Sequence, residues 1–312
     1  MTRSPLQQRA RLPRLAAAVA LVAAALVLGA PAKDAGDDVY NPPDPEPTAE
    51  ETLLLEYVNR FRADPAAEAK RVRDNPGSHG AGRTVDWDLF AKEMKALAPA
   101  PPLVMNLKLL LAARRHAHYL TVNEKRGHEE DGANEGFTGI KMPQRVTQAG
   151  YIWTAWYENI YVAFDPWSVH AGFVVDYAKG TPDGMRKGRG HRVNMLHPET
   201  REAGTAAYER SRDRLYTEGF ANRKGVARFV GGVVYVDRDG DGFYSVGEGV
   251  GGVKVTASDG ASATTWKSGG YALELPDTEA LTVTFTDAAG KTWQAKVPAG
   301  ADNAKVDWKR KP

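Results

Sequence analysis

The chain has 312 residues, of which 42% are hydrophobic and 26% are charged, and its formal net charge is +2. This composition is typical of a soluble globular protein, and the length allows two ordinary domains. Cysteine is absent, which excludes disulfides, a thiol nucleophile, a cysteine zinc site and the lipidated cysteine of a bacterial lipoprotein.

The first 32 residues have the layout of a secretory signal. They contain four arginines and no acidic residue, followed by an apolar run at 15–30 and then Ala30-Pro31-Ala32. A transmembrane anchor is the alternative, although the run is shorter than the roughly 20 residues that a span needs. We therefore predict an exported protein, secreted or held in the periplasm or cell envelope. Export without disulfides suggests a bacterial source.

Without residues 1–32, which we take as the signal peptide, the net charge falls to about −2. The positive balance of the whole chain therefore belongs mostly to that segment. No basic stripe interleaved with aromatic residues follows it, so nucleic acid is not an expected partner.

The first elements after the signal are a linker and two helices. Residues 33–47 are acidic and proline-rich, which favours a solvated, extended linker. Thr48 and Glu51 form a capping box at the start of an apolar pattern with helical spacing, and a second short helix is predicted to start after Asp64. The folded part is therefore expected to begin at residue 48.

Helices and strands alternate in the following segment. Residues 75–102 are rich in Gly and Pro, with one helical pattern at 89–97, and Asn106 caps a predicted core helix that runs to about Lys125. A helical pattern covers 169–178. Strands are predicted at 158–163, 202–208 and 214–220. This order predicts a mixed α/β domain over residues 48–224.

From residue 225 onward the pattern changes to short β-rich runs separated by Gly, Asp and Asn. The predicted strands are 227–236, 253–257, 272–275, 281–286, 293–297 and 305–308. Several short strands at this spacing predict an all-β sandwich of the immunoglobulin-like type over residues 225–312.

Residues 237–248 match the calcium-loop pattern D-x-D-x-D-G-x5-E. The oxygen ligands that such a loop supplies to calcium are Asp237, Asp239, Asp241, the Phe243 carbonyl, Ser245 or its water, and Glu248. The flanking runs are strand-like, so the helix opening of a calcium sensor is not available. We therefore predict a structural Ca²⁺ ion, with an acidic solvated turn as the alternative.

Three short motifs in the α/β part contain the remaining chemistry: Gly127-His128-Glu129, Tyr157-Glu158-Asn159-Ile160, and Gly190-His191-Arg192-Val193-Asn194. Together with Tyr57-Val58-Asn59-Arg60-Phe61-Arg62-Ala63 and the segment 102–120, these motifs resemble the CAP superfamily (cysteine-rich secretory protein, antigen 5 and pathogenesis-related type), in particular its cysteine-free bacterial branch. The resemblance covers roughly residues 50–222.

The resemblance implies an α+β fold, with a CAP-type α-β-α sandwich whose central cleft gathers histidines and acidic residues. His128, Glu158 and His191 match three of those positions, and Asp176 is the nearest candidate for the fourth. The stretch 180–188 departs from the shorter bacterial pattern and is expected to reshape the rim of the cleft.

Considered without the family, two imidazoles and a carboxylate suit Zn²⁺ or another divalent ion with positions open for water. Glu158 is the candidate catalytic base, or it holds a histidine in one tautomer. The alternative is a hydrogen-bonded network without metal. Other patterns are absent, since His128-Glu129 is not followed by the second histidine of H-E-x-x-H and no G-x-S-x-G occurs.

The remaining aromatic residues and histidines are given structural interpretations. His79, His116, His118, His170 and His197 are predicted to be structural or exposed. Trp153 and Trp156 lie next to the predicted Glu158 strand and suit either a core position or a groove for a glycan or lipid.

The preferred function is a CAP-type binding protein of the bacterial envelope or exterior. Its expected partner is an extracellular ligand such as a glycan, a lipid or an envelope component, and the calcium-stabilised β-domain is expected to be a spacer or adhesion module. The competing function is a metal-dependent hydrolase of envelope or extracellular substrates.

Overall fold

The computed structural model describes residues 39–80, 82–225 and 228–312. The predicted signal peptide and the first part of the predicted linker lie outside the described residues. Eight helices in the described residues have the following bounds: α1 Ala49–Ala63, α2 Pro65–Asp74, α3 Gly77–Gly80, α4 Trp87–Lys95, α5 Leu107–Val122, α6 Met142–Gln148, α7 Pro166–Val175 and α8 Gly190–Leu196. No helix in the described part of the chain combines the length and the hydropathy that crossing a membrane requires.

The predicted helix starts are confirmed in their chemistry. Thr48 and Glu51 form a reciprocal capping box at the start of α1, and the Asn106 side chain accepts hydrogen bonds from the first amides of α5. Helix α5 ends at Val122, three residues earlier than predicted. Helices α6 and α8 were not predicted, because each has only two turns and no clear apolar period.

A mixed four-stranded sheet forms the centre of the first part of the chain. Its strands are β1 Val104–Met105, β2 Ala155–Ala163, β3 Glu202–Glu209 and β4 Arg214–Asn222. Their order is β1-β3-β4-β2, with β1 parallel to β3 and the other pairs antiparallel. Strand β2 therefore lies at an edge of the sheet.

Helices cover both faces of this sheet, so the expected α-β-α sandwich is confirmed. On one face α5 lies directly on β3, where a Cβ on Gly204 would come within 2.2 Å of the Leu109 backbone carbon, so only glycine allows this approach. On the other face Thr205 donates a hydrogen bond to the Glu51 carbonyl of α1 at 2.7 Å. A continuous buried core of side chains from α1, α2, α4, α7 and the sheet fills the interior.

All regular elements of the C-terminal part within residues 228–312 are strands. They are β5 Arg228–Val236, β6 Lys254–Ala257, β7 Ser262–Thr264, β8 Gly270–Leu275, β9 Leu281–Thr286, β10 Thr292–Val297, β11 Ala304–Lys305 and β12 Trp308–Arg310. One sheet has the order β10-β9-β6-β7, and in the other β5 pairs with β8, β11 and β12. Side chains from both sheets, among them Val234, Val255 and Phe285, form one apolar core.

The last predicted strand, 305–308, is interrupted in the structure. The carboxylate of Asp307 accepts a hydrogen bond from the Val233 amide at 2.9 Å, so this side chain takes the place of a backbone partner. As a result β11 and β12 pair with β5 on either side of Asp307.

The two parts pack directly against each other and belong to one compact unit. Asn303 donates hydrogen bonds to the Pro102 and Arg201 carbonyls at 3.0 and 2.7 Å. The buried carboxylate of Glu56 on α1 pairs with Lys305 of β11 at 2.7 Å. The described part of the predicted linker contains no helix or strand before Ala49, and it is held on α5, because Arg114 donates hydrogen bonds to the carbonyls of Asp44 and Glu46.

Candidate functional site: a histidine cleft and an acidic loop

The alternation of side chains along the edge strand β2 determines how the cleft is built. Glu158 lies opposite Gly219 of β4, and Asn159 lies opposite Glu218. Because successive residues of a strand point to opposite faces, Glu158 belongs to the α6 side of the sheet and Asn159 to the α8 side. The two halves of the candidate site therefore approach β2 from opposite faces.

On the α6 side, Glu158 holds His128 in place. The Nδ1 atom of His128 lies 2.9 Å from one carboxylate oxygen of Glu158, and the side chain of His128 is 56% exposed whereas that of Glu158 is 7% exposed. Arg145 of α6 binds the other carboxylate oxygen and donates a hydrogen bond to the His128 carbonyl at 2.9 Å. Both oxygens of Glu158 are therefore engaged by protein groups.

This environment also determines the charge of Glu158. Burial by itself raises the pKa of the carboxyl group, but the positive charge of Arg145 and the hydrogen bonds from His128 and Arg145 outweigh burial and lower the pKa to about 2. Glu158 is thus a carboxylate at neutral pH.

On the α8 side, Asp176 holds His191 in the same manner. The Nδ1 atom of His191 lies 2.8 Å from the Asp176 carboxylate, whose side chain is 1% exposed. Asp176 is the C-cap of α7 and adopts a left-handed conformation with φ 60°. Its position behind the imidazole makes Asp176 an orienting group for His191.

The two imidazoles line one open cleft of about 860 Å³ that runs along Ile160, Tyr161 and Val162 of β2. Each ring is held through Nδ1, and neither Nε2 atom has a hydrogen-bond partner among the described residues. The ligand atoms of His128, Glu158 and His191 do not form a compact three-ligand cluster, since the one such group in the described chain lies elsewhere, at Asp237, Asp239 and Glu248.

A buried polar layer lies beneath β2. Asn159 donates hydrogen bonds to the His191 carbonyl and to Glu218, each at 3.2 Å, and Asn194 donates hydrogen bonds to the Glu158 carbonyl and the Asn159 side chain. The second carboxyl oxygen of Glu218 is buried and has no partner among residues 39–80, 82–225 and 228–312, and burial raises the pKa of this group to about 8. Glu218 is therefore mostly protonated at neutral pH.

A sequence model of the cysteine-rich secretory protein family, abbreviated CAP, matches residues 55–220, which is more than half of the chain. The chain belongs to the CAP family. The resemblance inferred from the sequence motifs is thereby confirmed, and the matched range contains both halves of the cleft.

Solved structures that match this chain have low sequence identity to it. An extracellular protein with an SCP domain from Bacillus anthracis str. Ames is 19% identical, and the match covers 40% of this chain and 35% of that one, with a TM-score of 0.31. This chain thus spans about a third of that protein. An outer surface protein of Borrelia burgdorferi is 15% identical over 44% of this chain and 91% of its own, also with a TM-score of 0.31.

NaASP2, solved with Zn²⁺, is 14% identical over 58% of this chain and 83% of its own, with a TM-score of 0.31. A comparison with curated proteins finds no significant match.

Most other histidines of the CAP region have structural contacts, as predicted. His116 is buried and bonded to Glu130 at 2.8 Å, and His170 is buried and bonded to Glu68 at 2.9 Å. His118 and His197 contact tyrosine hydroxyls. These four rings are therefore partners in the packing of the CAP fold.

His79 differs from this group because it lines the cleft. It belongs to the short helix α3 and contacts the ring of Tyr161 edge-on at 4.9 Å. The two tryptophans near β2 also have different surroundings. Trp156 lines a groove beside His128, whereas the indole of Trp153 is 38% exposed and donates a hydrogen bond to Thr147.

Arg145 is the main site residue that sequence reasoning missed. It contacts both Glu158 and the backbone of His128, but no motif marks it and its helix was not predicted. One signal was available in the sequence. Once β2 is assigned as a strand, the alternation of its side chains places Glu158 and Asn159 on opposite faces of the sheet, so their partners must come from different helices.

The acidic loop at 237–248 directly follows β5 of the C-terminal part. Ligand oxygens of Asp237, Asp239 and Glu248 lie within 4.8 Å of one another, and Ser245 donates a hydrogen bond to Asp239 at 3.1 Å. The side chain of Asp241 lies outside this group and accepts a hydrogen bond from the Phe243 amide. Gly242 has φ 77°, as the predicted bend requires.

The loop is also in contact with the CAP helices. The ring of Phe243 stacks on Tyr57 of α1 with centroids 5.5 Å apart, and the guanidinium of Arg60 lies 4.4 Å from the centre of the same ring. Tyr244 is buried together with Leu53 of α1. The loop is therefore located at the interface between the two parts of the chain.

Proposed function

We propose that this CAP-family chain is an exported bacterial binding protein. Its cleft would bind a divalent metal such as Zn²⁺ through Nε2 of His128 and Nε2 of His191, next to an extracellular ligand from the cell envelope. In this proposal the loop at 237–248 holds a structural calcium ion, and the protein is located outside the cytoplasm.

The observation that supports the metal is the matched pair of carboxylate–histidine contacts. Histidines that bind metals usually donate their second ring N–H to a carboxylate, which fixes the tautomer and makes the other nitrogen the ligand. His128 with Glu158 and His191 with Asp176 both have this arrangement, and both rings line the same cleft. When bound, the metal would supply a Lewis acid with positions open to water or ligand.

A binding function is favoured over the competing hydrolase by the contacts of Glu158. A general base must reach the proton that it removes, and both oxygens of Glu158 are occupied by His128 and Arg145. Glu158 is thereby suited to hold His128. A metal-dependent hydrolase would therefore need a base from its ligand or from another residue.

The calcium proposal is supported by the spacing of the loop and by the approach of Asp237, Asp239 and Glu248 to one another. Because the C-terminal part packs on α1 through Phe243 and on the segments before β1 and β3 through Asn303, we infer that it acts as a fixed cover on the CAP region. This replaces the spacer that the sequence suggested. The immunoglobulin-like class of the β-sandwich and the boundaries at residues 48, 224 and 225 remain predictions.

Metal analysis tests the proposal. Purified full chain, first saturated with calcium, would be titrated with zinc beside a His128→Ala/His191→Ala variant and a His118→Ala control, whose ring contacts Tyr208 away from the cleft. We expect one zinc per chain for the wild type and the control, and at least 100-fold weaker binding for the double variant. Equal zinc binding by all three proteins would reject the cleft as a metal site.

Activity in a panel of esters, peptides and glycans separates the binding protein from the hydrolase. Under the binding proposal, the wild type and the double histidine variant hydrolyse the panel equally slowly. Turnover that disappears with the two histidines would favour the hydrolase. Binding of the full chain to glycan and lipid arrays would then identify the class of ligand.

A further inference from the structure

The cleft that contains His128 and His191 is strongly basic. Four cationic side chains line it, and none of the described residues that line it is acidic. The cationic residues are Arg83, Arg126, Lys179 and Arg186. The chain without its signal segment has a net charge of about −2, so this local excess is produced by the fold.

These cations come from separate parts of the chain. Arg83 lies between α3 and α4, Arg126 follows α5, and Lys179 and Arg186 follow α7. They are distant in sequence, and they meet because their segments surround the free edge of β2. The four cations therefore do not form one cluster in the sequence.

Carboxylates neutralise little of this charge. Within the described residues, Arg83, Arg126 and Lys179 form no ion pair, and Arg83 lies instead over the Tyr177 ring at 5.5 Å. Arg186 approaches Asp176 at 3.5 Å but is itself 60% exposed. The charge is consequently available to a ligand.

The positive charges also act on Tyr161, which lies in the wall of the cleft. Burial raises the pKa of the Tyr161 hydroxyl, the positive charges of Arg83 and Arg186 oppose this rise, and the Asp176 carboxylate adds to it. Arg83 and Arg186 line the same cleft as Tyr161. Tyr161 lies in the cleft wall that also contains His191.

We propose that this cleft selects an anionic ligand with at least two oxyanion groups, phosphate or carboxylate, held by Arg83, Arg126, Lys179 and Arg186. Guanidinium groups bind such oxyanions with paired, charge-assisted hydrogen bonds, and a concave site of one sign of charge concentrates ligands of the opposite sign. The inference names the ligand class of the proposed binding site and in that respect rests on the proposed function. It does not require the metal.

The direct test is calorimetric titration of the full chain at low ionic strength with three sugars of similar size. They are fructose 1,6-bisphosphate, the dicarboxylate glucarate, and neutral fructose. We expect binding of one or both anionic probes and none of fructose, with an affinity that falls steeply as salt is added. The two anionic arms distinguish phosphate from carboxylate as the preferred group.

Charge-matched variants locate the site. Arg126→Gln/Lys179→Gln removes two exposed cations of the cleft, and Lys254→Gln/Lys296→Gln removes two exposed cations of the C-terminal part, so the net charge of the two variants is equal. We expect at least tenfold weaker binding for the first variant and less than twofold change for the second. Arg83→Gln/Arg186→Gln should also weaken binding at least tenfold.

Two outcomes would overturn the inference. One is binding of fructose 1,6-bisphosphate and glucarate no tighter than that of fructose. The other is an equal loss of affinity in the cleft variant and the C-terminal variant. Titration of the wild type in a zinc-selective chelator, with calcium retained, separates this inference from the metal proposal, because anion binding should stay within about threefold when zinc is absent.

Discussion

The two candidate metal sites of this protein are assembled in opposite ways. The acidic loop takes all of its predicted ligands from twelve consecutive residues, 237–248. The cleft takes His128 from a loop, Glu158 from the edge strand β2 and His191 from α8, and its orienting groups come from α6 and α7. A site with local ligands can be identified from spacing alone, whereas a dispersed site needs the fold to determine the role of each residue.

Among the changes considered for the two sites, removal of calcium from the acidic loop is expected to have the largest effect on stability. A chelator, or the substitution Glu248→Gln, should lower the free energy of unfolding by ~2.7 kcal/mol if calcium is present at about a hundred times its Kd. Because the loop packs on α1, we expect one shifted thermal transition for the whole unit. Thermal melts with the control Asp277→Asn, an exposed acid outside the loop, check this, and an unchanged Tm on chelation would refute the calcium site.

Asp176→Asn tests whether the cleft depends on its orienting carboxylates. The weaker acceptor should let His191 lose its fixed tautomer, so zinc affinity should fall about 10–100-fold, or about 1.4–2.7 kcal/mol. Zinc titration in competition with a chelating indicator measures this effect. Asp88→Asn is the control, because Asp88 is an exposed acid on α4. Wild-type affinity in the Asp176 variant would mean that the cleft is not a metal site of this kind.

Glu218→Gln tests the buried layer beneath the cleft. The pKa of Glu218 is raised from 4.5 to about 8 by burial, so the wild type loses stability as the pH rises through this window. Glutamine cannot ionise, and the variant should therefore gain about 2 kcal/mol relative to the wild type between pH 5 and pH 6.5. Denaturant unfolding at the two pH values checks this, with exposed Glu279→Gln as control. A gain that is the same at both pH values would contradict the prediction.

Phe243→Ala is expected to have the smallest effect, about 1 kcal/mol of stability, because it removes the ring stacked on Tyr57 and contacted by Arg60. The predicted calcium ligand at this position is the backbone carbonyl, so one calcium per chain should still bind. Phe164→Ala is the control, because that ring is 64% exposed. Loss of calcium in the Phe243 variant would show that the ring itself is needed to form the loop.

The elements of the fold could be predicted where local chemistry determines them. The capping box at Thr48, the cap at Asn106 and strand 281–286 agree with the structure because helix caps and strand alternation depend on neighbouring residues. The helices α6 and α8 were missed because they are short and are stabilised by tertiary contacts. The split at Asp307 was missed for the same reason, since its partner Val233 is far away in sequence.

The sequence by itself determined the CAP family, the α+β class, and the composition of the acidic loop, because each of these depends on residue types at short spacing. Only the tertiary structure decided that Glu158 and Asp176 stand behind His128 and His191, that Arg83 and Arg186 face the same cleft, and that the acidic loop lies against α1. The physical reason is that these contacts join residues from separate elements. Their distances depend on how the helices and the C-terminal sheets pack around the central sheet.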